Sequence, residues 1–340
     1  MPTKRLGRQT IRFSSPPALL SYANCVGKKE GEGPLGACFD YIAGDDSFDQ
    51  ATWEKAEQAM QKQALTLALD KAGLSASGLD FLYAGDLLNQ CISSAYAARG
   101  QDVPYLGLYG ACSTMGEGTL LAAMALDGGF GSYAAATASS HFCSAERQYR
   151  NPLEYGGQRT PTAQWTVTGA GAVVLAAEGP GPYVTHATIG KIVDKGVTDA
   201  NNMGAAMAPA AADTIAAHFK ESGRTPADYD LIVTGDLGTV GSQLLLDLLK
   251  KEGLTLSNHT DCGCLIFDLE AQDVHAGGSG CGCCASVLTG YLLPGMKQGR
   301  WQNILFCPTG ALHSPTSSFQ GESIPGICHA VAISNRREVT

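Results

Sequence analysis

Two spacings of apolar residues take turns along this chain. Short apolar runs bounded by Gly, Pro or Asp alternate with longer stretches in which apolar residues recur every three or four positions. The runs at 79–84, 103–109, 132–138 and 166–177 predict strands, as do 184–193, 230–234, 303–308 and 327–333. Between them, "SFDQATWEKAEQAMQKQALTLALDKAG" predicts a helix. Ser47 and Gln50 form a capping-box pattern, Trp53, Ala56, Met60, Ala64, Leu67 and Ala68 share one face, and Gly73 stops the run. "MGAAMAPAAADTIAAHFKESG" (203–223) has the same helical spacing, and "GTLLAAMALDGG" follows the apolar run "VPYLGLYG". Such alternation predicts an α/β protein with mostly parallel strands buried between helix layers.

The pattern also repeats. "KAGLSASGLDFLYAGDLLNQ" (71–90) and "ESGRTPADYDLIVTGDLGTVG" (221–241) each run from a helix end through a turn, an Asp and an apolar strand to Gly-Asp-Leu. "GACSTMGEGTLLAAMALDGGFGSYAAATASSH" (110–141) parallels 277–314 in the same order, ending at His141 and His313. Two similar halves, 1–180 and 181–340, are expected to meet near the linker "EGPGPY". Packed about a pseudo-twofold axis, they predict a layered α-β-α-β-α sandwich.

Composition narrows the function. Charged residues are scarce at 16%, Gly numbers 42, and the net charge is −9, which suits close-packed strand–turn–helix units. That charge argues against a nucleic-acid groove, since phosphate binding needs a basic field. No apolar run reaches the roughly 18–20 residues of a membrane helix, and "MPTKRLGRQTIRFSSPP" has no apolar signal core, so a soluble, cytosol-made protein is expected. The 12 cysteines need not pair in such a chain. Cys25, Cys38, Cys307 and Cys328 read as small core side chains. The Cys-x-Cys pairs Cys262/Cys264 and Cys281/Cys283, the second followed by Cys284, are closer than the C-x₂₋₄-C pairs structural zinc usually takes, and packed thiols at a Gly-rich helix start are expected over a metal site.

Cys112 in "GACSTMGEG" is the candidate for chemistry. A thiol at a helix start faces unpaired N–H groups, which favour the thiolate, and the N–H groups of "CSTM" could form an oxyanion hole.

This placement resembles the thiolase-like family of condensing enzymes, where a Cys opens a buried helix after a strand of the first half. "TGAGAVVLAAEGPGPYVTHATIGK" looks like the strand before the half-domain junction of ketoacyl-ACP synthase III. A nearer likeness runs through "EGPLGACFD", "AGDLLNQ", "GACSTMGEG", "AERQYRNPLEYGGQR", "MAPAAADTI", "GRTPADYDLIVTGDLG", "DCGCLIFD", "AGGSGCGCCAS" and "ESIPGICHAV". Together these resemble the stage V sporulation protein AD family of spore formers, thiolase-like proteins that bind dipicolinic acid. The implied fold is a thiolase-like five-layer sandwich.

A condensing enzyme also needs a His, with a second His or an Asn, from the second half. Thr234-Gly235-Asp236-Leu237 stands where the first would be, and "HAGGSGCG" has no Asn, with His275 a few residues early. The resemblance therefore implies a binder of pyridine-2,6-dicarboxylate, free or as its calcium chelate, without catalysis. It also implies a homodimer, no cofactor, and a peripheral place at the spore inner membrane beside other proteins of one complex. Any calcium would enter largely ligated by the ligand, because no EF-hand-like run is present.

Candidate contacts follow. Cys112 lines the pocket, and Gly278 lies in the second Gly-rich helix start. The insert 139–160 brings Ser140, His141, Arg147, Arg150, Tyr155 and Arg159, Arg matching a carboxylate through its bidentate fork. The same insert could also form a dimer seam, and both roles can hold together. Asp86, with Asn89 just beyond it, and Asp236 follow the ends of equivalent strands, where α/β sheets bind ligands, although an Asp there also caps the next helix. His329 is expected opposite Cys112, while His186, His218 and His259 read as surface or strand-packing residues. Two alternatives stand: an active acyltransferase with Cys112 as nucleophile and His329 or His313 as base, and a scaffold whose pocket binds nothing.

Overall fold

A computed structural model describes residues 4–149 and 159–338. Ten strands carry the architecture. The first five are β1 (Ala18–Val26), β2 (Phe81–Gly85), β3 (Tyr105–Gly107), β4 (Tyr133–Ser140) and β5 (Gly169–Ala176). The second five are β6 (Tyr183–Thr188), β7 (Leu231–Gly235), β8 (His259–Asp261), β9 (Asn303–Ala311) and β10 (Ala330–Ser334). Their order across the sheet is β8-β7-β9-β10-β6-β1-β5-β4-β2-β3. Read outward from the centre, each half presents its strands in the same order. Pair directions match as well: β1–β5 and β5–β4 are antiparallel, β4–β2 and β2–β3 parallel, and the second half repeats this. Four of the five strands in each half run the same way, as expected, and only β5 and β10 run against the others of their half.

Seven helices make the layers. α1 (Trp53–Ala72) and α2 (Ile92–Ala98) cover the outer face of the first sheet, and α5 (Met203–Ser222) with α6 (Gly238–Lys251) covers that of the second. Between the sheets lie α3 (Thr114–Asp127) and α7 (Cys281–Val287), which touch each other and strands of both halves. A short helix, α4 (Phe142–Tyr149), follows β4. The result is the predicted five-layer sandwich, with one core between the sheets and one under each outer helix pair.

Local chemistry explains the helix bounds. α1 starts at Trp53, where the Thr52 hydroxyl accepts from Lys55 N–H (3.4 Å), and ends at left-handed Gly73 (φ 68°). The Ser47/Gln50 capping box does not form. Phe48 and Asp49 take positive φ there, so the chain turns before the helix begins. Trp53, expected on the buried face, is 40% exposed at the helix mouth. α3 begins four residues before the predicted "GTLLAAMALDGG". The close central packing requires small residues: a Cβ on Gly282 of α7 would strike the Gly169 carbonyl, and one on Gly171 would strike that of Ala285.

Strand β1, "ALLSYANCV", was not expected, although it pairs with β5 along its length. The cysteines are all free thiols, and Cys38 is exposed, which corrects its reading as a core residue. His186 and His218 are buried, with His218 held between Thr188 Oγ1 (2.8 Å) and the Tyr229 hydroxyl (2.6 Å). Packing, not surface, is their setting.

Candidate functional site

A cavity of about 290 Å³ opens on the seam between the halves, with Cys112 at its floor. The turn that delivers Cys112 is built from its own residues. Ala111 takes φ 48°, Ser113 Oγ donates to Gly110 O (2.6 Å), and Thr114 Oγ1 donates to Ala111 O (2.6 Å). α3 then starts at Thr114, so the thiol lies two residues ahead of the helix. The backbone N–H groups of Ser113 and Thr114 already donate to Gly110 O and Ala111 O. Those two donors of the expected oxyanion hole are therefore occupied.

Second-half groups surround the thiol. Cys112 Sγ is 3.8 Å from Ser279 Oγ, and Cys284 Sγ–H donates to the Cys112 carbonyl (3.3 Å). Asp236 lies behind Ser279, its Oδ2 accepting from Gly280 N–H (2.6 Å), while its buried Oδ1 has no partner. Burial pushes the Cys112 thiol well above its ordinary value, and the neighbouring Asp236 carboxyl pushes it further. Asp236 itself is pushed well up, first by burial and then by Asp261. The expected thiolate is thus disfavoured: desolvation outweighs the helix end.

The walls are aromatic and polar. Tyr149 from α4 stacks on His313, which follows β9, with ring centroids 5.2 Å apart. The Tyr149 and Tyr109 hydroxyls are 3.0 Å apart, and the Tyr149 hydroxyl also donates to Leu87 O. Glu146, Gln164 and Asn201 also line the cavity. Glu146 falls in the insert singled out from sequence, but no spacing or motif marks Gln164, which reaches the seam only through folding.

Several predicted residues lie elsewhere. Asp86 is a capping group: Oδ1 accepts from Leu88 N–H (2.9 Å), and Oδ2 accepts from Ser94 N–H and Oγ–H (both 2.7 Å). Arg147 points to the far side of α4, ion-paired with Glu54 and 5.5 Å from the Trp53 ring, beside a shallower hollow that includes Asn89. Ser140 joins the halves by donating to Val167 O (2.6 Å) and accepting from Gly282 N–H (3.0 Å). The Gly278 carbonyl accepts from Gln164 Nε2 (2.9 Å). His141 Nε2 bonds Asp46 O (2.6 Å). His329 is not in the cavity wall: its Nδ1 accepts from Gly190 N–H (3.2 Å), and burial lowers its pKa to about 4. His313 occupies the position expected for it. Arg159 sits over Trp165 and donates to Asp273 O (3.0 Å). Arg150 and Tyr155 lie outside the described residues. Among the described residues, no cluster of His, Cys, Asp or Glu is arranged to hold a metal ion, and no helix is long and apolar enough to cross a membrane.

Five layers, a mirrored strand order and a buried Cys on the seam define a thiolase-like fold. Solved structures agree at the level of the fold. 3-Oxoacyl-[acyl-carrier-protein] synthase III from Aquifex aeolicus superposes with a TM-score of 0.55 at 14% identity, covering 94% of this chain and 99% of that one. Cerulenin-bound OleA from Xanthomonas campestris gives 0.62 at 14% identity, covering 94% and 96%. Within that fold the sequence is more specific. The model of the stage V sporulation protein AD family matches residues 7–334, and the stage V sporulation protein AD of Bacillus subtilis is 46% identical over 96% of this chain and 97% of its own. The chain belongs to the stage V sporulation protein AD family.

Proposed function

We propose that this chain binds pyridine-2,6-dicarboxylate, free or as its calcium chelate, in the seam cavity and catalyses no acyl transfer. In that reading it serves the machinery that moves this solute during sporulation and germination, docked peripherally on membrane proteins at the spore inner membrane. A homodimer formed through the first half completes the picture, and the exposed edge strand β3, with Leu106 43% exposed, suits such pairing.

The observation that carries the reading is the company Cys112 keeps. Its polar neighbours are the Ser279 hydroxyl and the Asp236 carboxyl, and burial disfavours the charged forms of both the thiol and that carboxyl. What remains is a slot with a stacked Tyr149–His313 wall for a flat ring, and hydroxyl donors for carboxylate oxygens. The ligand's identity rests on the resemblance to the dipicolinate-binding proteins of spore formers.

Equilibrium binding of the 2,6-dicarboxylate, with the 3,5-isomer as control, tests this. Saturable, isomer-selective binding that weakens in Cys112→Ala supports the reading, and binding of neither isomer sinks it. A second reading, acyl transfer through Cys112, has one observation in its favour: His313 lines the same cavity. An acyl-CoA-derived mass increase that is lost in Cys112→Ala would establish it.

A further inference from the structure

Beneath α4, which carries Tyr149 into the cavity wall, lies a buried acid. Glu57 of α1 turns one oxygen towards β4 and the other towards α4. Oε1 accepts from Ser139 Oγ–H (3.0 Å), and Oε2 lies 3.0 Å from Ser144 Oγ. Gln61, one turn further along α1, donates to Ser139 Oγ (3.1 Å), so the Ser139 proton is directed at Glu57.

Counting protons fixes the state of the acid. Ser144 Oγ also lies 3.2 Å from the His141 carbonyl oxygen. A hydroxyl has one proton, so Ser144 cannot donate fully to both Glu57 and His141. Both contacts are complete when Glu57 Oε2 carries a proton and donates it to Ser144, which then donates to His141.

The neighbouring acid leads the same way. Gln61 Nε2 also donates to Ser94 Oγ (3.0 Å), which in turn donates to Asp86 Oδ2 (2.7 Å). Asp86 accepts three hydrogen bonds, as a carboxylate does, and two buried carboxyls in one network resist ionising together. Burial first, and then Asp86, raises Glu57 to about 8. The elements packed on α1 supply it no countercharge. α2 brings the Ser93 hydroxyl, β1 the Cys25 thiol (itself pushed up to about 12), and β5 apolar side chains. Arg147 of α4 is ion-paired with Glu54 at the surface.

We propose that neutral Glu57 is a positioning residue for the seam cavity: its proton ties α4 to α1 and holds Tyr149 against His313, and ionisation releases that wall. This rests on the proposed function and adds a proton to what the cavity needs.

Equilibrium binding of pyridine-2,6-dicarboxylate with equimolar Ca²⁺ at pH 7, 8 and 9 tests it on the full chain. Affinity should fall about tenfold from pH 7 to pH 9, where about one Glu57 in eleven keeps its proton. The wall itself does not mimic this step. Burial lowers His313 below its ordinary 6.5 and raises Tyr109, Tyr149 and Cys112, so none of these changes charge in that window. Glu57→Gln, whose amide donates to Ser144 at any pH, should show no fall. If that variant does not fold, Ser144→Ala decides: with the link gone, its weaker binding should not vary between pH 7 and 9. Infrared difference spectra, wild type minus Glu57→Gln, read the proton directly, and a protonated carboxyl C=O band is expected at pH 7 and lost by pH 10. A wild-type profile without the fall, a fall that Glu57→Gln or Ser144→Ala shares, or no such band at pH 7 overturns the proposal while leaving the proposed function standing. Binding at no pH refutes the proposed function itself, and this inference with it.

Discussion

Cys112 Sγ faces Ser279 Oγ at 3.8 Å, one group from each half, with Asp236 close behind. Burial in this arrangement disfavours ionisation of the thiol, and the Asp236 carboxyl adds to that. With iodoacetamide at pH 8, exposed Cys38 should be alkylated first and Cys112 should stay unmodified over the same interval. Peptide mapping by mass spectrometry reads both thiols in one sample. Labelling of Cys112 as fast as Cys38 would mean a reactive thiolate and would revive acyl transfer.

Asp86 holds α2 in place by accepting three hydrogen bonds from a fully buried position. Asp86→Ala leaves the Leu88 and Ser94 donors unsatisfied and should cost about 3 kcal/mol of stability. Denaturant unfolding checks this. A loss of ligand binding with undiminished stability would instead assign Asp86 to the ligand.

Central packing depends on Gly282. Its N–H donates to Ser140 Oγ (3.0 Å), and its Cα lies against the Gly169 carbonyl. Gly282→Ala should lower stability by about 1–3 kcal/mol by forcing α7 off the first sheet. Gly299→Ala is a control for backbone strain alone, since a Cβ there meets nothing but the φ is 79°. A Gly282→Ala protein no less stable than the control would show that this contact is loose.

Buried ionisable groups set the pH dependence. Burial raises Glu30 and Glu57 from 4.5 to about 8, so the fold holds protons that the unfolded chain has released. The stability they give is complete below about 4.5 and is lost as pH rises towards 8. Burial lowers His186 and His329 from 6.5 to about 4, so the unfolded chain takes up protons first and stability is lost as pH falls from 6.5 towards 4. The thermal midpoint should therefore peak between about 4.5 and 6.5, decline towards 8, and decline less in Glu57→Gln. A midpoint still rising from pH 6.5 to 8 would contradict the burial of these carboxyls.

Much of the layering was legible because strand–helix alternation and the repeat of Gly-Asp-Leu are local patterns. β1 was missed because "ALLSYANCV" lies among Ser, Pro and Gly without a paired helix beside it, and only its pairing with β5 makes it a strand. The site was less legible. Cys112 and Asp236 stood out at strand ends, but Arg147 looked available for a carboxylate until the fold set Glu54 beside it. His329 and His313 could not be ranked by sequence, since which one reaches the seam depends on how β9 and β10 end. Gln164 carried no signal at all: its meaning lies in two carbonyls brought to it from 72 and 114 residues away.

The shared middle layer has a consequence for synthesis. α3 needs strands of the second half to cover it, and α7, which completes the first sheet's inner face, starts only at Cys281. A ribosome therefore releases more than three-quarters of this chain before the first half can close, and its Ala- and Gly-lined inner face stays wet in the meantime. Because α3 and α7 pack against strands of both sets, each set is expected to need the other to complete its packing.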